Sequence, residues 1–91
     1  MIITITQKDI DKGIVNKKKK GIQACGCPAS IAIEHETGML AFIDEFGVDL
    51  YHKKSMVKEG TYTIDENVKA FMLVFDVTPK KAKPTTFEIS R

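Results

Sequence analysis

The chain has no tryptophan, only two cysteines and only three prolines. No apolar run approaches the ~20 residues of a membrane-spanning helix, and the opening MIITIT lacks the basic start and long apolar core of a secretory signal. These absences point away from a membrane and toward the cytoplasm, where thiols stay reduced. Cys25 and Cys27 are separated by a single glycine. A bridge between them would close a small, strained ring, so two free thiols are expected. Aromatic side chains able to stack on bases are scarce. Tyr51 and Tyr62 are the exposed candidates, since the phenylalanines fall mostly at core positions. That counts against a protein that coats nucleic acid, as does an isoelectric point near 8.5, below the basic-domain range.

What is present is the composition of an ordinary globular domain, 43% hydrophobic and 29% charged in 91 residues. A chain of this length makes one domain, residues 1–91, and buries about 60–65% of its unfolded surface. The net charge of +2 hides a segregation. Residues 7–20 hold six lysines against Asp9 and Asp11. Residues 21–52 hold no Lys or Arg but five carboxylates: Glu34, Glu36, Asp44, Glu45 and Asp49. Separate positive and negative faces follow.

Alternation over Ile2 to Thr6 predicts a strand, and Thr6-Gln7-Lys8-Asp9 is a capping box with Asp in place of the usual Glu or Gln. A short helical turn from Gln7 to Lys12 should end at Gly13. Asn16 to Cys25 reads as a loop, its four lysines repelling one another at a mobile tip. Pro28 suits the first position of a helix with Cys27 as N-cap, running to about Glu36 and stopping near Gly38. The apolar residues Ala29, Ile31, Ala32 and Ile33 cover more than one side of it, so it should pack on a sheet and be covered by something else.

Met39 to Lys54 reads as a hairpin turning at Gly47, followed by a polar link and a few extended residues from Thr61 to Ile64. Asp65 is a good N-cap for a helix to about Asp76, with Val68, Phe71, Met72 and Phe75 on its buried face and Leu73 and Val74 widening it. Thr85 to Ser90 alternates like an edge strand and should pair with the first. The expected fold is α+β, a small, mostly antiparallel four-stranded sheet packed against two main helices.

Basic charge, thiols and a helix start crowd into Lys17 to Ala32. Free N–H groups at a helix start suit an anion, and Lys17, Lys18, Lys19, Lys20, Gly26, Cys27 and Ser30 could together seat a phosphate or nucleotide. The P-loop pattern is absent. Cys27 beside lysines at a helix start should also have a lowered pKa, but no base and orienting group accompany it, and no catalytic residue is assigned. Cys25, Cys27, His35 and His52 are the ligand types of a structural zinc, although the histidines fall in different elements, and no cofactor is expected. Lysines 17–20, 53, 54, 58 and 80–83 could track a phosphate backbone. Asp44, Glu45, Asp49 and Tyr51 mark the hairpin as a surface for a basic protein partner, and its edge could pair with a partner strand or a second copy of the chain.

The opening ITQKDIDKG, the CPASIAI segment, the helix ending in VFD and the closing PTTFEI resemble a pattern of small, mostly uncharacterised bacteriophage accessory proteins. In that pattern T-x-x-D-I-x-x-G precedes a Cys-Pro helix, and the chain closes on an F-x-F-E type strand. The lysine run before Cys-Pro and the CGCP spacing depart from it. The resemblance implies a non-enzymatic binding protein that inhibits or sequesters a host factor, such as a defence component, in the host cytoplasm. Capture of a nucleotide or other phosphorylated small molecule at Cys25–Ser30, by an oligomer, is the second reading, and nucleic-acid binding the third.

Overall fold

The structure, a computed structural model, describes residues 1–20 and 26–91, without the side chain of Lys20. Strand β1 (Ile2–Ile5) buries Ile3 and Ile5 and leaves Ile2 outside, as its alternation dictates. The capping box then forms in both directions. Asp9 N–H donates to Thr6 Oγ1 at 3.2 Å, and Thr6 N–H donates to Asp9 Oδ2 at 2.9 Å. Aspartate serves here because the carboxylate is buried and its other oxygen lies 3.3 Å from His35 Nδ1.

Helix α1 (Gln7–Lys20) does not stop at Gly13. It continues through the lysine run as far as Lys20, which corrects the expected loop at Asn16–Lys20; residues 21–25 lie outside the described residues. Gly13 is buried inside the helix because α1 meets the start of α2 (Pro28–Thr37) there. A Cβ at Gly13 would sit 2.6 Å from Pro28 Cδ and Cγ and 3.1 Å from Phe75 Cζ. Lysine is a good helix former, and cations are favoured near a helix C-terminus. Lys17 is also anchored, its ammonium donating to the carbonyls of Asp76 (2.6 Å) and Phe75 (3.3 Å).

Helix α2 has Cys27 as N-cap and Pro28 in its first turn. It closes at Gly38, whose φ of 73° is the left-handed conformation that glycine adopts without cost. Pro28 to Ile33 are all buried. The helix lies under α1 and against β1 and β2 (Leu40–Asp44).

Strands β2 and β3 (Gly47–Tyr51) form the expected hairpin. Ala41, Ile43, Val48 and Leu50 face the core. The turn itself is Glu45-Phe46, with Asp44 opposite Gly47. Asp44 Oδ1 accepts from Phe46 N–H (2.8 Å) and Gly47 N–H (3.1 Å), an Asx-type turn. Gly47 instead lets the next strand approach, since a Cβ there would meet the carbonyl oxygen of Tyr62 at 2.6 Å.

That next strand, β4 (Lys58–Ile64), is longer than the few extended residues read from the sequence, and it makes the sheet five-stranded among the described residues. Helix α3 (Glu66–Val77) starts at Asp65, whose carboxylate accepts from Val68 N–H (3.1 Å) and from Glu88 N–H of β5 (Thr85–Ser90) at 2.9 Å. A single 3-10 turn, Pro79–Lys81, leads to β5. Pairing of β5 with β1 is observed, Ile3 opposite Phe87, but β5 also pairs with β4 and is not an edge. The antiparallel order is β1-β5-β4-β3-β2. The edges are therefore β1 and β2, and α2 touches both, which requires the sheet to curl around it.

The α+β class holds, with five strands rather than four and three helices rather than two main ones among the described residues. Among the described residues no helix is long and apolar enough to cross a membrane.

The contact at Gly13 is testable. Gly13→Ala should gain up to about 1 kcal/mol of helix propensity yet lose about 1–3 kcal/mol to overpacking. Urea unfolding should show net destabilisation, partly recovered when Pro28→Ala is added. A more stable single variant would mean that α1 and α2 are not in close contact there.

Candidate functional site

The residues of the expected anion seat are divided in the structure. Lys17 spends its donors on the last carbonyls of α3 and lies over the Phe75 ring, 5.6 Å from its centroid. Gly26 accepts through its carbonyl from Asn16 Nδ2 at 3.0 Å. Cys27 Sγ lies 3.4 Å from Ser30 Oγ, and both side chains are buried. Lys18 and Lys19 are exposed, and Lys18 lines a hollow that contains neither Cys27 nor Ser30. Burial pushes the Cys27 thiol pKa up, and the negative charge of Asp76 acts in the same direction, against the opposing hydrogen bonds from Ser30 and Ala29. That reverses the expected activation: desolvation outweighs the helix start, and no lysine among the described residues compensates.

The zinc ligand set is not assembled either. His35 faces Asp9, while His52 Nε2 lies 3.1 Å from Glu59 Oε2. Cys25 lies outside the described residues, and among those described no three His, Cys, Asp or Glu side chains form a metal-holding group. Of the basic stripe, Lys53 pairs with Glu34 at 2.6 Å and Lys58 with Asp49 at 3.5 Å. Tyr62, expected outside, packs partly against the core with the Arg91 guanidinium 5.5 Å from its ring centroid.

The hairpin carries the more distinctive geometry. Asp49 and Tyr51 lie on the outer sheet face. Asp49 Oδ1 accepts from Thr61 Oγ1 at 2.7 Å, and Tyr51 meets Phe42 edge-on with ring centroids 5.4 Å apart. The Thr61 hydroxyl, followed by Lys58, holds the Asp49 carboxyl below its usual pKa. Asp44 and Glu45 instead stand at the turn beside Phe46, which is 84% exposed. Behind the turn lies a groove of about 680 Å³ between the hairpin and α3. Pro28, Ile43, Phe71 and Phe75 line it, Met72 and Leu73 continue it, and Asp44, Glu45, Asp76 and Lys69 rim it. Lys69 already faces Glu66 at 3.3 Å, so the rim carries unbalanced negative charge.

Leu73 is 67% exposed and Val74 41%, so the two residues expected to widen the buried face of α3 are apolar surface instead, as is Val77. Phe46 and Leu73 were not among the candidate site residues, and Leu73 was expected on the buried face of α3. Phe46 continues the alternation of the strand before it, which hides it. The signal that finds it is Asp44 three residues before Gly47, an Asx turn that places Phe46 at a tip where no core can reach it.

No protein-family model matches the chain, and neither a curated protein nor a solved structure matches it.

Two outcomes test that geometry. In a Cys25→Ser background, Cys27 should react with a disulfide reagent at neutral pH far more slowly than an unfolded thiol and rapidly once denatured. Prompt reaction of the native protein would show an open, activated thiol. Thr61→Ala should raise the Asp49 pKa toward the ordinary carboxylate value, read from an NMR titration of its side-chain carbon. Because the folded pKa is the lower one, the stabilisation from Asp49 is present above the unfolded value of about 3.9 and disappears as pH falls through the folded value. The variant should therefore lose less stability over that window than the parent.

Proposed function

We propose that the chain is a non-catalytic binding protein that inhibits or sequesters a protein partner through the hairpin tip and the groove behind it. The observation that carries this reading is Phe46, a large aromatic ring almost wholly in solvent, on a turn whose Phe46 and Gly47 N–H groups both donate to the Asp44 carboxylate. An exposed aromatic on a turn fixed by hydrogen bonds, beside an apolar groove, is the anatomy of an interface anchor, because little backbone freedom remains to be lost on binding. The rim carboxylates of Asp44, Glu45 and Asp76 select the partner chemistry: a segment that combines apolar side chains with Lys or Arg. Inhibition by occupancy needs no catalytic group, and this agrees with the buried Cys27. The bacteriophage accessory proteins that the sequence resembles supply the context of a host factor as target.

Selection from a random peptide library tests the reading. The chain should enrich peptides in which apolar anchors alternate with Lys or Arg. Phe46→Ser and Leu73→Ser, both at exposed positions, should each weaken the selected peptides at least about tenfold, and Glu45→Lys should weaken them in a salt-dependent way. Enrichment of acidic peptides, or equal binding by the Phe46 and Leu73 variants, would overturn it.

A further inference from the structure

A second hollow, of about 470 Å³, lies between α1 and the segment that follows α3. Ile14, Val77 and Pro79 give it an apolar surface, and among the described residues Lys17, Lys18, Lys80 and Lys81 surround it with no carboxylate in the lining. Lys18, Lys80 and Lys81 are exposed, and among the described residues none of them has an ion-pair partner. Like charges gathered around apolar surface create a local positive potential that attracts a group of opposite charge. The occupant that fits is a compact apolar group carried next to carboxylates. Among the described residues no aromatic ring lines the hollow to stack on a base, which disfavours a nucleic-acid strand.

This chain presents that group itself. Phe46 stands at the tip of a two-residue turn between Asp44 and Glu45 on one side and Gly47 on the other. We infer that the Phe46 tip of one copy docks in the lysine-ringed hollow of a second copy, with Asp44 and Glu45 against Lys18, Lys80 and Lys81. The contact is heterologous, tip to hollow, so it leaves one tip and one hollow available for further copies unless the two are exchanged reciprocally. A single turn in a hollow of this size covers less than the ~1,600 Å² of a stable interface. The association is therefore weak and concentration-dependent, with a dissociation constant between about 10 μM and 1 mM. The hollow has the basic and apolar chemistry assigned above to a partner of the tip, so self-association stores the tip until a tighter partner displaces it. The inference rests on that reading only for this last role.

Sedimentation equilibrium of the purified chain tests the contact without any partner, so its failure and failure of the peptide selection are separate results. The average mass should rise above the 10.2 kDa of one copy as concentration approaches about 1 mM at low salt and fall back at high salt. Phe46→Ser, which removes the tip, and Lys80→Glu with Lys81→Glu, which removes the hollow, should each give a monomer. All three substitutions are at exposed positions, and circular dichroism confirms the fold. An equimolar mixture of the two variants retains one tip and one matching hollow and should recover association that stops at a 1:1 pair. A monomeric parent, a Phe46→Ser variant that associates like the parent, or a mixture as monomeric as its components would each overturn the inference.

Discussion

The close approach of α1 to the start of α2 is the constraint on which the other arrangements rest. Where Gly13 touches Pro28 there is no room for a methyl group. With the helices so near, Asn16 reaches the Gly26 carbonyl and Lys17 reaches the end of α3. The first helix thus ties the second and third together with one amide and one ammonium. The same proximity covers the side of α2 that the sheet leaves open, and this allows a ten-residue helix to be apolar nearly all round. A larger residue at position 13 would act on all of these contacts together.

The local elements were largely legible because each carries its own signal. Thr6 and Asp9, Pro28 and Gly38, and Asp65 with the spacing of Val68, Phe71 and Phe75 mark helix ends and a buried face from short-range chemistry. What was not legible depended on contacts distant in sequence. Gly13 reads as a stop until Pro28 is placed against it. Four lysines read as a repelling loop until the carbonyls of Phe75 and Asp76 are placed within reach of Lys17. Strand β4 alternates weakly, and its length follows from β3 beside it, where the register shifts between Leu50 and Tyr51.

The candidate site shows the same division. Asp44 and Glu45 could be marked by charge, but Asp49 and Tyr51, marked with them, turn to the outer sheet face instead. Phe46 and Leu73 could not be told from core residues, because apolar periodicity does not say which apolar residue lacks a neighbour. The charge segregation visible along the chain has a spatial counterpart: carboxylates rim the groove at the hairpin, and lysines ring the hollow beyond α3. The helix start that looked most chemically loaded is mostly interior, with Cys27 and Ser30 turned toward each other.

The order of strands bears on how the protein comes into being on the ribosome. Strand β1 emerges first, yet its partner in the sheet is β5, with Ile2 opposite Glu88. Strands β2, β3 and β4 can assemble as a meander as they appear. One edge of that meander and the whole of β1 must then wait for β5 to join them. Until it does, Ile3 and Ile5 have α2 on one side but no partner among the described strands, so the first of these five strands to be made is also held open longest. Vectorial synthesis therefore leaves the final zipping of the sheet to a long-range, late event. Meanwhile the capping box at Thr6 and Asp9 needs only residues already made, and it can hold the first helix in place while the strand before it waits.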